Sequence, residues 1–184
     1  MSIKGLEQAI ANMNSISQTA VPRASSQAIN RVAVRAIGRS SSVVSRDTRV
    51  QRKLVMQRSK LKKASANNPV ATLRVNRGDL PAIKLGAARV QLSRRIGRTR
   101  GADSVLKIGK FSFPHAFIQR LANGRWHVLR RTGKTRYPVE VVKIPMSMPL
   151  TTAFRDQLPK LMESDMPKEM AAALKNQLRI IIKR

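Results

Sequence analysis

The sequence predicts an α+β fold with N-terminal helices, a central mainly antiparallel sheet and C-terminal helices. Apolar residues recur every three or four positions near both ends of the 184-residue chain, which is typical of amphipathic helices. Between these ends, short runs alternate apolar and polar residues, which is typical of half-buried strands. A chain of this length suits one domain with a core of its own. We therefore expect a single domain over 1–184, made of a helical basic segment (1–65), a β-rich segment (66–146) and C-terminal helices (147–184).

The N-terminal segment is predicted to begin with two helices. Residues 3–17 carry one apolar stripe of Ile3, Leu6, Ile10, Met13 and Ile16. A second helix is expected from about 22 to 46, with a face of mostly small residues that suits close packing against another helix or subunit. Gly38 and the serines at 40–42 predict a bend or an end within that helix.

Residues 46–65 are predicted to form two short helices, one capped by Thr48 and one by Ser59. Two short helices separated by a break, with eight basic residues between 46 and 63, superficially resemble a helix-turn-helix. The alternative is a pair of surface helices that present basic faces to solvent or to a neighbour. The alternative is favoured, because no turn glycine is present and the second helix would be very short.

The central segment is predicted to hold four to six short strands in one antiparallel sheet. Leu73 and Val75 alternate with polar residues, and Val90 and Leu92 are expected on the buried face of a further strand. Additional strands are expected in the phrases SVLKIGKFSF, RWHVLRR and VEVVKIPM.

Two helices are predicted at the C-terminus. The first begins at Thr151 or Thr152 and is bent or interrupted by Pro159. The second begins after a Ser164 or Asp165 cap. Its apolar stripe is Met170, Leu174, Leu178 and Ile181.

The formal net charge of +28 strongly favours an anionic partner. The absence of cysteine excludes disulfides and cysteine-based metal sites, and no apolar run is long enough to cross a membrane. The phrase LSRRIGRTRG is expected to end a strand and form a basic loop. The candidate contacts to phosphate or to an acidic partner are Arg52, Lys53, Arg58, Lys60, Lys62, Lys63, Arg94, Arg95, Arg98 and Arg100.

No catalytic or metal-binding constellation is found in the sequence, and no cofactor is expected. Most of the nine acids fall at predicted caps, turns or exposed helix positions, and only Glu140 lies clearly in a strand. His115 and His127 are the only histidines, and two histidines without a nearby acid or cysteine make a poor metal site. A glycine-rich phosphate loop is also missing.

Whole phrases of the sequence resemble the minor tail protein Z, or tail completion, family of lambda-like long-tailed phages. The resemblance runs from Ser2 to the closing QLRIIIKR, and its specificity comes from the number of phrases in order. The phrases are SIKGLEQAI, AVPRAS…AINRVAVRAI, VNRGDLPAIKLGAARVQLSRR, FIQRLANGRWHV, YPVEVVKIPM and PLTTAF.

The resemblance implies a structural virion protein, without enzymatic residues, at the head-proximal end of the tail. Such a protein completes the tail, allows it to join a DNA-filled head and positions the leading end of the genome. The implied partners are five further copies in a hexameric ring, the tail terminator, tail tube or neck proteins, and duplex DNA in the bore, but no membrane. The protein would be made and assembled in the host cytoplasm.

Two other functions remain open from the residues alone. The first is a free duplex-binding protein, either independent of DNA sequence or a regulator that reads DNA with residues 46–65. The second is an enzyme such as a nuclease, acting through Glu140, His115 or His127.

Overall fold

A computed structural model describes residues 3–91, 105–133 and 138–182. It has helices at both ends and antiparallel strands between them, so the predicted α+β class is confirmed. The chain divides into two compact units. The first comprises Met1–Thr48, Arg52–Asn76 and Pro149–Arg184, and the second comprises Arg49–Gln51 and Arg77–Met148.

The first unit begins with helix α1 (Ile3–Ser15), which continues through a π-helical turn (Ile16–Ala20) into helix α2 (Val21–Thr48). The helix does not end near Gly38, which was one of the two predicted outcomes there, because α2 continues from Val21 to Thr48. Two of the three serines are hydrogen-bonded: the Ser42 hydroxyl donates to the carbonyl oxygen of Gly38 at 2.9 Å, and the Ser40 hydroxyl donates to that of Ala153 at 3.4 Å. The hydroxyl of Ser41 is buried without a hydrogen-bond partner among the described residues.

A short helix α3 (Arg52–Met56) leads into strand β1 (Ser59–Lys62), which pairs with strand β2 (Thr72–Val75) in an antiparallel hairpin. The predicted helix capped by Ser59 is therefore wrong, and with it the helix-turn-helix. The sequence SKLK alternates polar and apolar residues with the period of a strand, and it finds a matching alternation in TLRV.

Helix α4 (Ser147–Ser164) and helix α5 (Met166–Ile182) complete the first unit. Helix α4 starts earlier than predicted and continues through Pro159. Helix α5 packs along α2, and the fully buried Val32, Ala36 and Leu161 form a core cluster with Met166 against it. The small residues of α2 are buried here, as their predicted packing against a helix requires.

The most buried column of α5 differs from the predicted stripe. It is Asp165, Glu169, Ala173 and Gln177, with Asp165 just before the helix, whereas Met170, Leu174, Leu178 and Ile181 are only half-buried. The column therefore lies one residue nearer the N-terminus than the apolar pattern predicts, and it includes two carboxylates.

The second unit consists of short strands and one 3₁₀ helix (Ala82–Leu85). The strands are β3 (Leu80–Pro81), β4 (Ala88–Gln91), β5 (Val105–Ile108), β6 (Phe111–Pro114), β7 (Ala116–Arg120), β8 (Trp126–Arg131), β9 (Val139–Val141) and β10 (Lys143–Ile144). They pair antiparallel as β3 with β10, β4–β5–β6 and β7–β8–β9. With the β1–β2 hairpin, the described residues thus form four small sheets instead of the single sheet expected.

The core of the second unit is aliphatic and includes Leu106, Ile108, Val128 and Leu129. Strand β4 does not contribute as predicted, because Val90 is 62% exposed. The alternation of apolar and polar residues therefore did not predict correctly that Val90 is exposed. Leu92, predicted on the same face, lies outside the described residues.

Candidate anion-binding surface

The β1–β2 hairpin presents three cations on one exposed face. Lys60 lies directly opposite Arg74, and Lys62 lies opposite Thr72. All of these residues are exposed, whereas the other face, with Leu61 and Leu73, is half-buried. We call Lys60, Lys62 and Arg74 the basic hairpin face.

The basic hairpin face has no carboxylate bound to it among the described residues. Like charges directly opposite each other on neighbouring strands destabilise a sheet, on the order of 0.2–1 kcal/mol for such pairs. The fold tolerates this cost at Lys60 and Arg74. A bound anion would remove it, so the arrangement is suited to phosphate or to an acidic protein surface.

Two hydrogen bonds hold the start of the hairpin loop against α2. The side-chain amide of Asn30 donates to the carbonyl oxygen of Ala64 at 2.9 Å, and its carbonyl oxygen accepts from the Ala64 N–H at 2.8 Å. Beyond Ala64, Ser65 and Asn68 close a turn with reciprocal backbone hydrogen bonds. The basic hairpin face is therefore attached to the longest helix of the molecule.

The other candidate cations in this part of the chain differ in their exposure and in their hydrogen bonds. Lys53 and Lys63 are exposed. Arg52 is exposed, and its Nη2 lies 3.4 Å from the carbonyl oxygen of Gly38, to which it donates. Arg58 is half-buried and its Nε donates to the carbonyl oxygen of Asn76 at 3.0 Å, so it helps to close the hairpin.

The structure brings Lys60 and Lys62 together with Arg74, a residue that the sequence analysis did not select. The signal was present, since Arg74 lies between Leu73 and Val75 in the predicted strand. Its pairing with Lys60 depended on the hairpin register, which alternation does not specify. Four other candidates, Arg94, Arg95, Arg98 and Arg100, lie outside the described residues.

A second group of cations, on α2, is neutralised within the chain. The ion pairs of this network join Arg31 to Glu169 at 3.0 Å, Arg35 to Asp165 at 3.0 Å and Arg39 to Asp165 at 3.4 Å. Arg35 also contacts Glu169. The three arginines are about half exposed, while both carboxylates are nearly buried. Asp165 was expected as a helix cap, and most acids were expected at caps, turns or exposed helix positions. The structure adds that Asp165 and Glu169 are nearly buried and form ion pairs with α2.

The network shifts the ionisation of its members toward the charged forms. A hydrogen bond from Ser164 and the neighbouring Arg35 and Arg39 lower the pKa of Asp165, although burial opposes the shift. The pKa of Glu169 is lowered chiefly by its hydrogen bond from Arg31. The pKa of Arg35 is raised, mainly by its hydrogen bond to Asp165. The network is therefore charged at neutral pH.

The residues considered for catalysis, Glu140, His115 and His127, lie in or beside the β7–β8–β9 sheet. Glu140 accepts a hydrogen bond from Arg130 at 2.6 Å, its cross-strand neighbour. His115 is an exposed turn residue between β6 and β7 with a φ of 57°, and His127 is half-buried in β8. Within the described ranges, no three His, Asp or Glu side chains converge as metal ligands. None of the helices described there is long and apolar enough to span a membrane.

Comparison with known proteins gives the chain its family. The sequence profile of the family described as Prophage minor tail protein Z (GPZ) matches residues 3–184. The chain belongs to this family. The predicted resemblance is therefore confirmed over nearly the whole length.

Two curated relatives are similar to the chain from end to end. The Tail completion protein of Escherichia phage N15 is 68% identical over 184 residues, and Tail completion protein Z of Escherichia phage lambda is 55% identical over 192 residues. Both alignments cover all of this chain and all of the relative. No solved structure matches the chain. These relatives support a structural role in a phage tail and give no support to a free DNA-binding protein.

Proposed function

We propose that this protein is a structural virion subunit that completes the head-proximal end of a phage tail. In this role it allows the tail to join a DNA-filled head and positions the end of the genome in the tail. Membership in the minor tail protein Z family is the observation that carries the proposal.

The basic hairpin face contributes to this role by contacting the backbone of the DNA end. Lysine and arginine side chains bind phosphate without reading base sequence, which suits a contact that holds DNA by its backbone. Lys60, Lys62 and Arg74 are exposed and have no bound carboxylate in the described part of the chain. The hydrogen bonds between Asn30 and Ala64 hold the hairpin that carries these cations against α2.

DNA does not account for all of the positive charge. A duplex segment about 40 Å long carries only about 24 phosphates. A single copy of the chain already has a net charge of +28, and a ring of six copies would have six times as much. We therefore assign much of the remaining charge to acidic surfaces of the tail terminator, tail tube or neck proteins, in a hexameric ring at the end of the tail.

The test is complementation of a phage that lacks this gene product. Without the protein, we expect filled heads and full-length tails that fail to join or that hold DNA wrongly. The triple variant Lys60→Ala, Lys62→Ala and Arg74→Ala should enter particles and restore joining poorly. A matched control removes three exposed cations from α4 and α5 (Lys160, Lys168 and Lys175) and should restore it. Normal infectivity without the protein would contradict the tail role, and full rescue by the hairpin variant would contradict the role of the hairpin.

A further inference from the structure

Helix α1 carries an apolar stripe that nothing in the described chain covers. Leu6 is 64% exposed, Ile10 51% and Met13 69%. Every residue from 5 to 14 is exposed, so α1 lies away from the packed part of the first unit. The spacing of four and then three residues is the d–a–d spacing of a heptad, which is typical of a helix that pairs with another helix.

The stripe lies in a stretch of the chain with little charge. Helix α1 has one lysine, Lys4, in its first turn, and residues 5–22 contain no lysine or arginine and a single acid, Glu7, in a chain of net charge +28. Elsewhere, two copies of the chain would repel each other when they approach. Helix α1 is therefore a surface on which two like-charged copies can meet without bringing cations together.

The charge of α1 also argues against other occupants. A helix that lies on an anionic membrane has lysine and arginine on its polar face. A helix that binds DNA, or a strongly acidic protein, likewise needs cations beside its apolar residues. The polar positions of α1 include Gln8, Asn12 and Asn14 and match none of these partners.

We propose that neighbouring copies of this chain pair through their α1 helices, with Leu6, Ile10 and Met13 facing the same residues of the next copy. A contact between identical stripes joins copies two by two and does not itself close a ring of six, so this pairing is additional to the ring of the proposed function. The contact is short, about two turns, so it is weak as an isolated pair. Raising the salt concentration should strengthen it, because salt screens the repulsion between chains. Salt has the opposite effect on DNA binding, which it weakens.

The absence of natural cysteine makes disulfide trapping a direct test. Ile10 lies in the middle of the stripe, so it meets Ile10 of the other copy whether the helices run parallel or antiparallel. Under mild oxidation, Ile10→Cys should form a covalent dimer much faster than Gln8→Cys, on the opposite side of the same helix. Equal rates for the two variants, or no dimer from Ile10→Cys, would overturn the pairing.

Sedimentation of the full chain gives an independent readout. We expect the wild-type protein to self-associate, and the Leu6→Ser and Ile10→Ser double variant to shift to a smaller species with an unchanged melting temperature. The control, Gln8→Ser with Asn12→Ser, should self-associate as the wild type does. An oligomer that survives loss of Leu6 and Ile10 would overturn the pairing but leave the ring. A wild-type protein that remains monomeric at all concentrations and salts would likewise overturn the pairing.

Discussion

At the α2–α5 interface three arginines lie against two carboxylates, whereas the basic hairpin face holds three cations with no bound carboxylate among the described residues. Both groups belong to the first unit of the chain. The acidic residues of this basic protein are few, nine in 184 residues, and two of them are placed where helices pack. The fold thus neutralises cations where it needs a stable interface and leaves them available on the hairpin.

The two regions also differ in what holds them together. The α2–α5 interface combines the ion pairs with a buried apolar cluster of Val32, Ala36 and Leu161. The hairpin has only one half-buried face and depends on Asn30 for its attachment. Substitutions should therefore destabilise the interface most, whereas changes of hairpin charge should alter binding more than stability.

The largest expected effect is from Leu161→Ala, which removes a fully buried side chain beside α2 and α5. Large-to-small changes of this kind cost about 2–5 kcal/mol of unfolding free energy. Chemical denaturation measures the loss. Met162→Ala, at the next residue of α4 and 47% exposed, is the control and should cost about 0.5 kcal/mol or less. Similar losses in the two variants would show that the interface does not depend on this core.

Asn30→Ala should have the next largest effect, because it leaves the N–H and the carbonyl oxygen of the buried Ala64 without their partner. The expected cost is about 1–3 kcal/mol. Hydrogen exchange should quicken chiefly in β1 and β2. Asn12→Ala, on the exposed α1, serves as the control. Unchanged exchange in the hairpin would contradict the assigned role of Asn30.

The ion network should make stability depend on pH. Because the folded-state pKa values of Asp165 and Glu169 are lowered, their contribution is complete above their ordinary values of 3.8 and 4.5 and is lost as pH falls through the lower folded values. The double variant Asp165→Asn and Glu169→Gln should therefore melt at a lower temperature than wild type at pH 7, with the difference shrinking near pH 3.

The shift from this double variant should be smaller than that from Asn30→Ala, because the arginines are half exposed and screened by solvent. Asp156→Asn with Glu163→Gln removes two exposed acids from α4 and is the matched control. A difference that stays constant from pH 7 to pH 3 would mean that the charges of the network contribute nothing.

The smallest expected effect is a gain in stability, whereas the preceding substitutions are expected to reduce stability. Arg74→Glu places a carboxylate directly opposite Lys60 and should stabilise the hairpin by about 0.2–1 kcal/mol at low salt. Lys175→Glu, exposed on α5, changes the net charge equally and corrects for relief of general repulsion. If Arg74→Glu gains no more stability than Lys175→Glu, the like-charge pair is not a source of strain.

The sequence was sufficient for the fold class, because periodicity reports which residues share a face. The family followed separately, from the resemblance of whole phrases of the sequence. The small-residue face of α2 and the alternation around Leu73 and Val75 both correspond to what the structure shows. Ser59 was misread because a serine before a short basic run suits a helix cap as well as a strand. Only pairing with β2 decides between the two.

The candidate site was less predictable, because it depends on contacts between distant residues. The partners Arg35 and Asp165 are 130 positions apart, and no local pattern joins them. Arginines at 31, 35 and 39 share one side of a helix, and so do the acids at 165 and 169, yet only the packing of α2 on α5 aligns the two sides. The opposition of Lys60 and Arg74 likewise depended on the hairpin register.

We propose that the basic hairpin face has no bound carboxylate among the described residues because it binds phosphate. The most direct test measures the affinity of the purified protein for random-sequence duplex DNA at several salt concentrations. Substituting Lys60, Lys62 and Arg74 by alanine should reduce the slope of log affinity against log salt by about 2–3, since each lost phosphate contact removes about 0.9. The control with Lys160, Lys168 and Lys175 substituted should keep the wild-type slope. Equal slopes for the two triple variants would contradict the claim.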